Sequence, residues 1–494
     1  MASLVLTLDI GTSSLRALLY DAQGASLPHS EVQIAHQVRV TPDGGAELDP
    51  SALFDDTVRA VDGAVKEVPA GDELVGVAIS SLWHSTLGVD EQGQAITPLY
   101  IWADTRASGA ADELRHRLDE RAVHARTGCV LHPSYLPARL LWLSQAQPDV
   151  WKRAAQWLSF GEYLQRRVLG RPTCSLSMAS GTGLLDVHRC DWDPEMLRAI
   201  GLDPARLAPL IDLDKADAPH GLQGEWASRW PSLANVPWFP AVGDGACGNV
   251  GSGCCTPERI ALNIGTSGAA RVVLGQPDRE VVPGLWFYRV DRRRPLLGGA
   301  LSEGGNVFAW LRQALQLDAI ADLEAEVAAM EPDAHGLTML PFLAGERSPD
   351  WNASARGAIA GLTLGTKPAE IVRASLEAIS YRFALILRRL GPVAAPDAPV
   401  VCSGGALLGS PAWLQIMADV LDRRVIASTE HEASSRGAAL LALESLGLLA
   451  DIAAAPTDLG EAYEPDPRRH ARYNEAIERQ AHLYEQVLGP PRAI

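Results

Sequence analysis

Apolar positions along the chain follow two rhythms. Short, nearly unbroken runs end in glycine-rich turns. Longer stretches repeat their apolar residues at helical spacing. Residues 4–20, LVLTLDIGTSSLRALLY, are of the first kind. An apolar run reaches Asp9, turns through Gly11 and a hydroxyl cluster, and resumes at Leu15, which predicts a strand–turn–strand. Residues 238–253, WFPAVGDGACGNVGSG, take an apolar run into Gly243-Asp244-Gly245 and then place Ala246, Gly248 and Gly251 at helix-like spacing. Residues 399–413, PVVCSGGALLGSPAW, predict a strand over Val400–Cys402, a Gly404-Gly405 turn and a helix, with Ser410 and Pro411 as N-cap and first helical residue. Helical blocks are expected at 108–126 and at 368–390, the latter opening on TKPAE. Strands alternating with helices predict an α/β fold.

The opening pattern recurs half a chain later. Residues 260–273, IALNIGTSGAARVV, align with it directly: Asp9 with Asn263, Thr12 with Thr266, Ser13 with Ser267. Self-similarity at this distance predicts two related halves, each opening on the same hairpin. No flexible linker separates them. The boundary is placed near residue 245, giving domains 1–245 and 246–494.

Backbone N–H groups in such turns, joined by Thr and Ser hydroxyls, suit phosphate oxygens, and glycine lets backbone come close to a ligand. Two hairpins facing each other would clamp a polyphosphate. An anion such as Asp9 has no use on phosphate itself. Its natural role is to hold Mg²⁺ beside it. The repeat carries Asn263 there, which predicts a single metal site. The pattern is not GxxxxGK[ST], and neither turn contains a lysine.

The bulk properties narrow the field. A formal net charge of −17 argues against nucleic acid, since the densest basic run is only Asp291-Arg292-Arg293-Arg294. No apolar stretch reaches the roughly 18 residues of a membrane span. The start, MASLVLTLDIGTS, lacks a basic n-region, so no signal peptide is expected. Seven cysteines without a CxxC pair predict reduced thiols in a cytoplasmic protein.

In this order, the four segments resemble the FGGY carbohydrate kinases. DIGTSSLRALLYD looks like the family's first phosphate hairpin, LNIGTSG like its second, and GGALLGSPAWLQIMADVL like its adenosine segment. The resemblance covers essentially the whole chain. It implies two RNase H-like domains of the actin, Hsp70 and sugar-kinase superfold around a deep cleft, with ATP and Mg²⁺. Thr12, Ser13, Ser14, Gly265, Thr266, Gly304, Asn306, Gly404, Gly405 and Ala406 would contact nucleotide. Asp9 would hold the metal. Asp244 would accept the proton of the attacking sugar hydroxyl, its plainer alternative being an N-cap in a glycine turn. Partners are then a sugar or sugar acid and ATP, without nucleic acid or membrane, and with a homodimer as the candidate assembly.

Substrate segments are similar to the family's at 79–90, ISSLWHSTLGVD, and 99–107, LYIWADTRA. Three more resemble its gluconate kinases: 127–143, 177–197, and 341–366 with GERSPDWNASARGAIAGLT. The implied reaction is phosphorylation of D-gluconate to 6-phosphogluconate. Xylulose or another ketose or polyol is the alternative, and a non-catalytic nucleotide switch is the alternative of a different class. Trp83, His84, Asp104, Arg106, Asp244 and Arg347 are the candidate sugar contacts. Trp83 is bulky where such kinases often carry smaller residues. A carboxylate calls for a fork-shaped guanidinium, which makes Arg106 and Arg347 candidates. Equally, Arg106 could simply pair with Asp104, Arg347 with Glu346 or Asp350, and His84 could be a core residue. Trp83, Trp102, Trp142 and Trp351 are core candidates, with one of them a platform for a sugar ring.

Overall fold

A computed structural model describes residues 2–214, 216–277, 279–317 and 322–492. Both hairpins form. Ser3–Ile10 pairs antiparallel with Ser14–Tyr20, placing Asp9 opposite Arg16. Ile260–Ile264 pairs antiparallel with Gly268–Val273, placing Asn263 opposite Ala269. The second turn is therefore one residue tighter than the first.

Each hairpin sits in the middle of its own sheet, and the two sheets share a plan. In the first, the order is Val242–Gly243, Glu73–Ser81, Ser3–Ile10, Ser14–Tyr20, Val32–Ala35. In the second, Val425–Ser428, Val400–Ser403, Ile260–Ile264, Gly268–Val273 and Pro295–Leu301 repeat that order, with Leu459–Tyr463 and Trp286–Arg289 added at the edges. In both, the hairpin's first strand has a parallel neighbour on its far side. The sequence repeat is thus a repeat of topology.

Register explains why the first sheet carries a site. Asp9 lies beside Ser80, and Ser80 beside Val242, across parallel strands. One step past Gly243 the chain becomes the helix Asp244–Gly251. Asp9 and Asp244 therefore stand together at the carboxyl edge of the sheet, where open α/β sheets bind ligands. The small residues after Asp244 let this helix touch the helix Ala433–Ser445: a Cβ on Gly251 would strike the Ala433 carbonyl, and one on Gly437 the Cys247 carbonyl. The hydroxyls of Thr7 and Ser435 meet at 2.6 Å under the first sheet.

The helix Pro368–Leu390 spans the expected residues, and the Lys367 N–H donates to Glu370 at 2.7 Å as its start signal foretold. Ser410 caps Pro411–Leu421 by accepting from the Trp413 N–H at 3.1 Å. The single block expected at 108–126 is two helices, Ser108–Arg117 and Glu120–Thr127. Asp119 breaks it, since its carboxylate caps the N–H groups of Arg121 and Ala122 and draws the chain out of helical geometry. No helix among the described residues is long and apolar enough to cross a membrane.

Candidate active site

Two cavities meet at Asp244. The first, about 370 Å³, is walled by Trp83, Trp102, Tyr135, Trp286, Tyr288 and Trp351 and floored by the two hairpin turns. The second, about 280 Å³, carries Asp9, Glu430 and Glu432. The aromatic wall is interlocked. The Trp286 and Tyr288 rings stack at 4.2 Å, Trp83 meets Tyr288 edge-on at 4.9 Å, and the Tyr135 and Tyr288 hydroxyls bond at 2.7 Å.

Trp83 is wedged against the backbone around Asp244. Its indole N–H donates to the Ser177 carbonyl at 3.1 Å. A Cβ on Gly245 would come within 2.7 Å of the indole, one on Gly181 within 2.6 Å, and one on Gly243 would overlap it. The glycines flanking Asp244 are therefore required for space by Trp83. Asp244 itself opens its helix, and its carboxylate accepts from the Gly245 N–H at 2.8 Å. Burial raises its pKa above the usual carboxylate range, and Arg271 and the N–H groups of Gly245 and Trp83 pull it back. Burial pushes Asp9 up to about 6, Ser80 opposing and the Asp244 charge adding to the rise. Two crowded carboxylates over one cavity form a hard-oxygen donor set that suits a divalent cation.

His84 lines the first cavity with its backbone at φ 60°, a left-handed conformation uncommon outside glycine. Buried Arg139 holds it there by donating to the His84 carbonyl at 2.5 Å and to that of Ile101 at 2.8 Å. Nδ1 of His84 donates to the Gly181 carbonyl at 2.5 Å, which leaves Nε2 as an acceptor. Burial drops this imidazole to about 3, with Arg347 and Arg139 opposing protonation further. A neutral ring accepting at Nε2 suits a sugar hydroxyl.

Arg347 also lines this cavity. Its guanidinium lies 5.2 Å from the Trp102 ring centre and donates to the Leu301 carbonyl at 2.6 Å. Glu346 and Asp350 belong instead to Arg382, so Arg347 is free of the local pairing that its neighbours in sequence suggest. Arg106 is the opposite case. It donates to Asp104 at 2.5 Å and to Glu47 at 3.2 Å, lies over Tyr100 and Trp142, and is absent from the cavity wall. Asp104 is 2% exposed and spent on Arg106 and the Ala46 N–H. Asp104 and Arg106, expected as sugar contacts, pair with each other and do not line this cavity.

Thr12, Ser13, Gly265 and Thr266 stand on the cavity floor. Ser14 turns back to accept from Arg16 at 3.1 Å. Gly304 and Asn306 bind the second hairpin: the Gly305 N–H reaches the Gly265 carbonyl at 2.8 Å, and the Asn306 N–H reaches that of Thr266 at 3.1 Å. The Asn306 side chain is occupied by Gly304 and Ser302. Gly404 sits at φ +93° against the Ile264 backbone and lines the second cavity, whereas a Cβ on Gly405 would meet nothing within 4 Å. Ala406 packs near Gly305.

Sequence reasoning missed Tyr135, Trp286, Tyr288, Glu303 and Arg271. Only Arg271 left a local signal, as a charge interrupting the apolar strand GAARVV. Glu303 is fully buried beside Arg347, with no hydrogen-bond partner for either carboxylate oxygen, and burial pushes it up to about 8.

Duplicated sheets, paired hairpin turns and a carboxylate between two cavities could hold a phosphate-bearing ligand beside an acceptor. Family models agree: the N-terminal domain of the FGGY family of carbohydrate kinases matches residues 4–251 and its C-terminal domain residues 260–446. The chain belongs to that family, and its two-domain α/β fold is the family's. It is 28% identical over 489 residues to a gluconokinase of Bacillus subtilis, covering 94% of this chain and 92% of that one. A gluconate kinase structure from Lactobacillus acidophilus superposes with a TM-score of 0.90 at 26% identity, covering 99% and 98% of the two chains. A xylulose kinase structure from the same organism does so equally, at 0.90 and 26%, covering 98% of each.

Proposed function

We propose that the protein is an ATP-dependent kinase that phosphorylates a primary hydroxyl of a sugar acid, foremost D-gluconate to 6-phosphogluconate, with Asp244 as general base. The observation that carries the acid is Arg347, a cation in an aromatic-walled cavity that forms no ion pair among the described residues. Within a protein of net charge −17, a carboxylate substrate needs such a guanidinium. Trp83 and its neighbours offer faces to the carbon chain, and His84 Nε2 accepts from a hydroxyl. Asp244 takes the proton as the hydroxyl attacks. Because the transition state of phosphoryl transfer is loose, alignment and charge neutralisation contribute most. Asp9 would hold Mg²⁺, which would supply neutralisation of the phosphate oxygens. The hairpin turns at Thr12–Ser13 and Gly265–Thr266 cradle the phosphates, and Gly404, Gly405 and Ala406 flank the nucleoside. The halves divide near residue 245 and close on both substrates, in a cytoplasmic enzyme. A neutral ketose or polyol, xylulose first, is the second reading, favoured by neutral His84 and the aromatic wall.

Arg347→Met tests the acid directly. A charged hydrogen-bonded contact is worth about 1.5–3 kcal/mol, so KM for gluconate should rise roughly 10- to 100-fold, with xylulose little affected. An unchanged ratio of kcat/KM for the two sugars would remove the sugar acid from the proposal.

A further inference from the structure

We propose that Arg271 is a catalytic residue that binds the phosphoryl group in transit between nucleotide and acceptor. This rests on the kinase reading above. Among the described residues, only Asp244, Asn263 and Arg271 line both cavities. Transfer must occur where acceptor and phosphate spaces join, and Arg271 is the one cation of the three. Its strand, Gly268–Val273, follows the second hairpin turn, and alternation puts Arg271 on the same face as Ala269, which also lines the first cavity. A Cβ on Gly245 would lie 3.0 Å from its Nε and 3.1 Å from its Cζ, so the guanidinium rests against the residue that follows the base.

Among the described residues, its donors are unspent. Nε is buried without a hydrogen-bond partner. Among the described residues, no carboxylate lies within ion-pair distance of Arg271, although Asp244 is near enough to influence it. The other arginines nearby each have a partner, Arg16 with Glu432 at 3.2 Å and Glu31 at 3.6 Å and Arg347 with the Leu301 carbonyl, although Nε of each also lacks a hydrogen bond. A planar fork left open beside a general base fits an anion that arrives only with the substrates. In the step itself the acceptor oxygen bonds to phosphorus as its proton passes to Asp244. The bond from phosphorus to the bridging oxygen breaks, and that electron pair leaves with ADP. Arg271 keeps its protons and donates hydrogen bonds to the equatorial oxygens, where arginines in phosphoryl transfer are worth about 10³–10⁵ in rate.

The test is ADP affinity with and without aluminium fluoride, which mimics the phosphoryl group in flight, in the presence of Mg²⁺ and gluconate or xylulose. In wild type, aluminium fluoride should tighten ADP at least about tenfold. Arg271→Met should bind ADP alone within about twofold, which shows that it is folded, and should lose the tightening. Its kcat should fall about 10³-fold with both acceptors, and Arg271→Lys should recover part of it. A methionine variant that keeps both the tightening and a kcat near wild type overturns the proposal. So does a loss confined to KM for gluconate, which would make Arg271 a substrate anchor. Wild type that neither tightens nor turns over either acceptor would instead remove the kinase reading on which the proposal stands.

Discussion

Gly243→Ala isolates the wedge that holds Asp244. Gly243 has φ −62° and ψ 136°, a backbone that any residue adopts. Alanine should even gain about 0.4–1 kcal/mol by restricting the unfolded chain. Space decides against it. The new methyl would fall on Cε2, Nε1 and Cδ2 of Trp83, where carbon contacts need about 3.5–4 Å. The indole has no simple retreat. Gly181 and Gly245 touch other parts of the ring, Tyr288 and Trp286 back it, and the Ser177 carbonyl binds its N–H. Overpacking of this kind costs about 1–3 kcal/mol, and stranding the Ser177 bond about 1–3 more. The net expectation is about 2–5 kcal/mol. A shift of about 1 Å in Asp244 should lower kcat about 10²-fold. Equilibrium urea unfolding and steady-state kinetics measure both. Gly109→Ala is the control for substitution as such, since its methyl meets nothing. Trp83→Ala removes the obstacle, so Trp83→Ala/Gly243→Ala should be hardly less stable than Trp83→Ala alone. Strictly additive effects, or a Gly243→Ala enzyme of wild-type stability and rate, would refute the wedge.

Asp244→Asn keeps the volume but removes the base, and kcat should fall roughly 10²–10⁴-fold with ADP affinity unchanged by titration. Near wild-type turnover would take the base role from Asp244. Glu303 gives a pH signature. Its folded value, about 8, lies above the ordinary 4.5, so the native state keeps a proton that the unfolded chain releases. Stability on this account is greatest below about pH 4.5 and declines as pH rises towards 8. Glu303→Gln should abolish that decline, leaving the variant more stable than wild type at pH 8 by up to about 4 kcal/mol and equal to it at pH 4. Thermal unfolding at the two pH values decides, and a variant less stable at pH 8 would contradict the buried, proton-bearing carboxyl.

Local features were legible where one segment carries its own explanation. Apolar strands meeting at DIGTSS and NIGTSG announced both hairpins. Lys367-Pro368 with Glu370, and Ser410-Pro411, announced their helices. Asp244 was visible because a strand, two glycines and a carboxylate fall together. Features set by distant partners were not. Arg106 reads like a substrate ligand until Glu47, 59 residues upstream, is brought to it. The Tyr135–Tyr288 bond joins residues 153 apart. Why Asp244 needs glycines on both sides appears only when Trp83 arrives from another strand. Arg271 was obscured by its apolar surroundings, and its meaning depends on two cavities that exist only once both sheets are in place. The break at Asp119 was readable in principle, because an aspartate two residues before Arg121 is an N-cap signal inside an apparently continuous helix.

The most direct test of the central claim is wild-type kcat/KM, with ATP and Mg²⁺, across D-gluconate, D-xylulose and glycerol, coupled to identification of the phosphorylated product. The account predicts ATP-dependent phosphorylation at a primary hydroxyl, with gluconate preferred over both neutral acceptors. A preference for xylulose or glycerol would contradict the assignment of Arg347 to a substrate carboxylate, and no phosphorylated product from any of the three would contradict the proposed reaction.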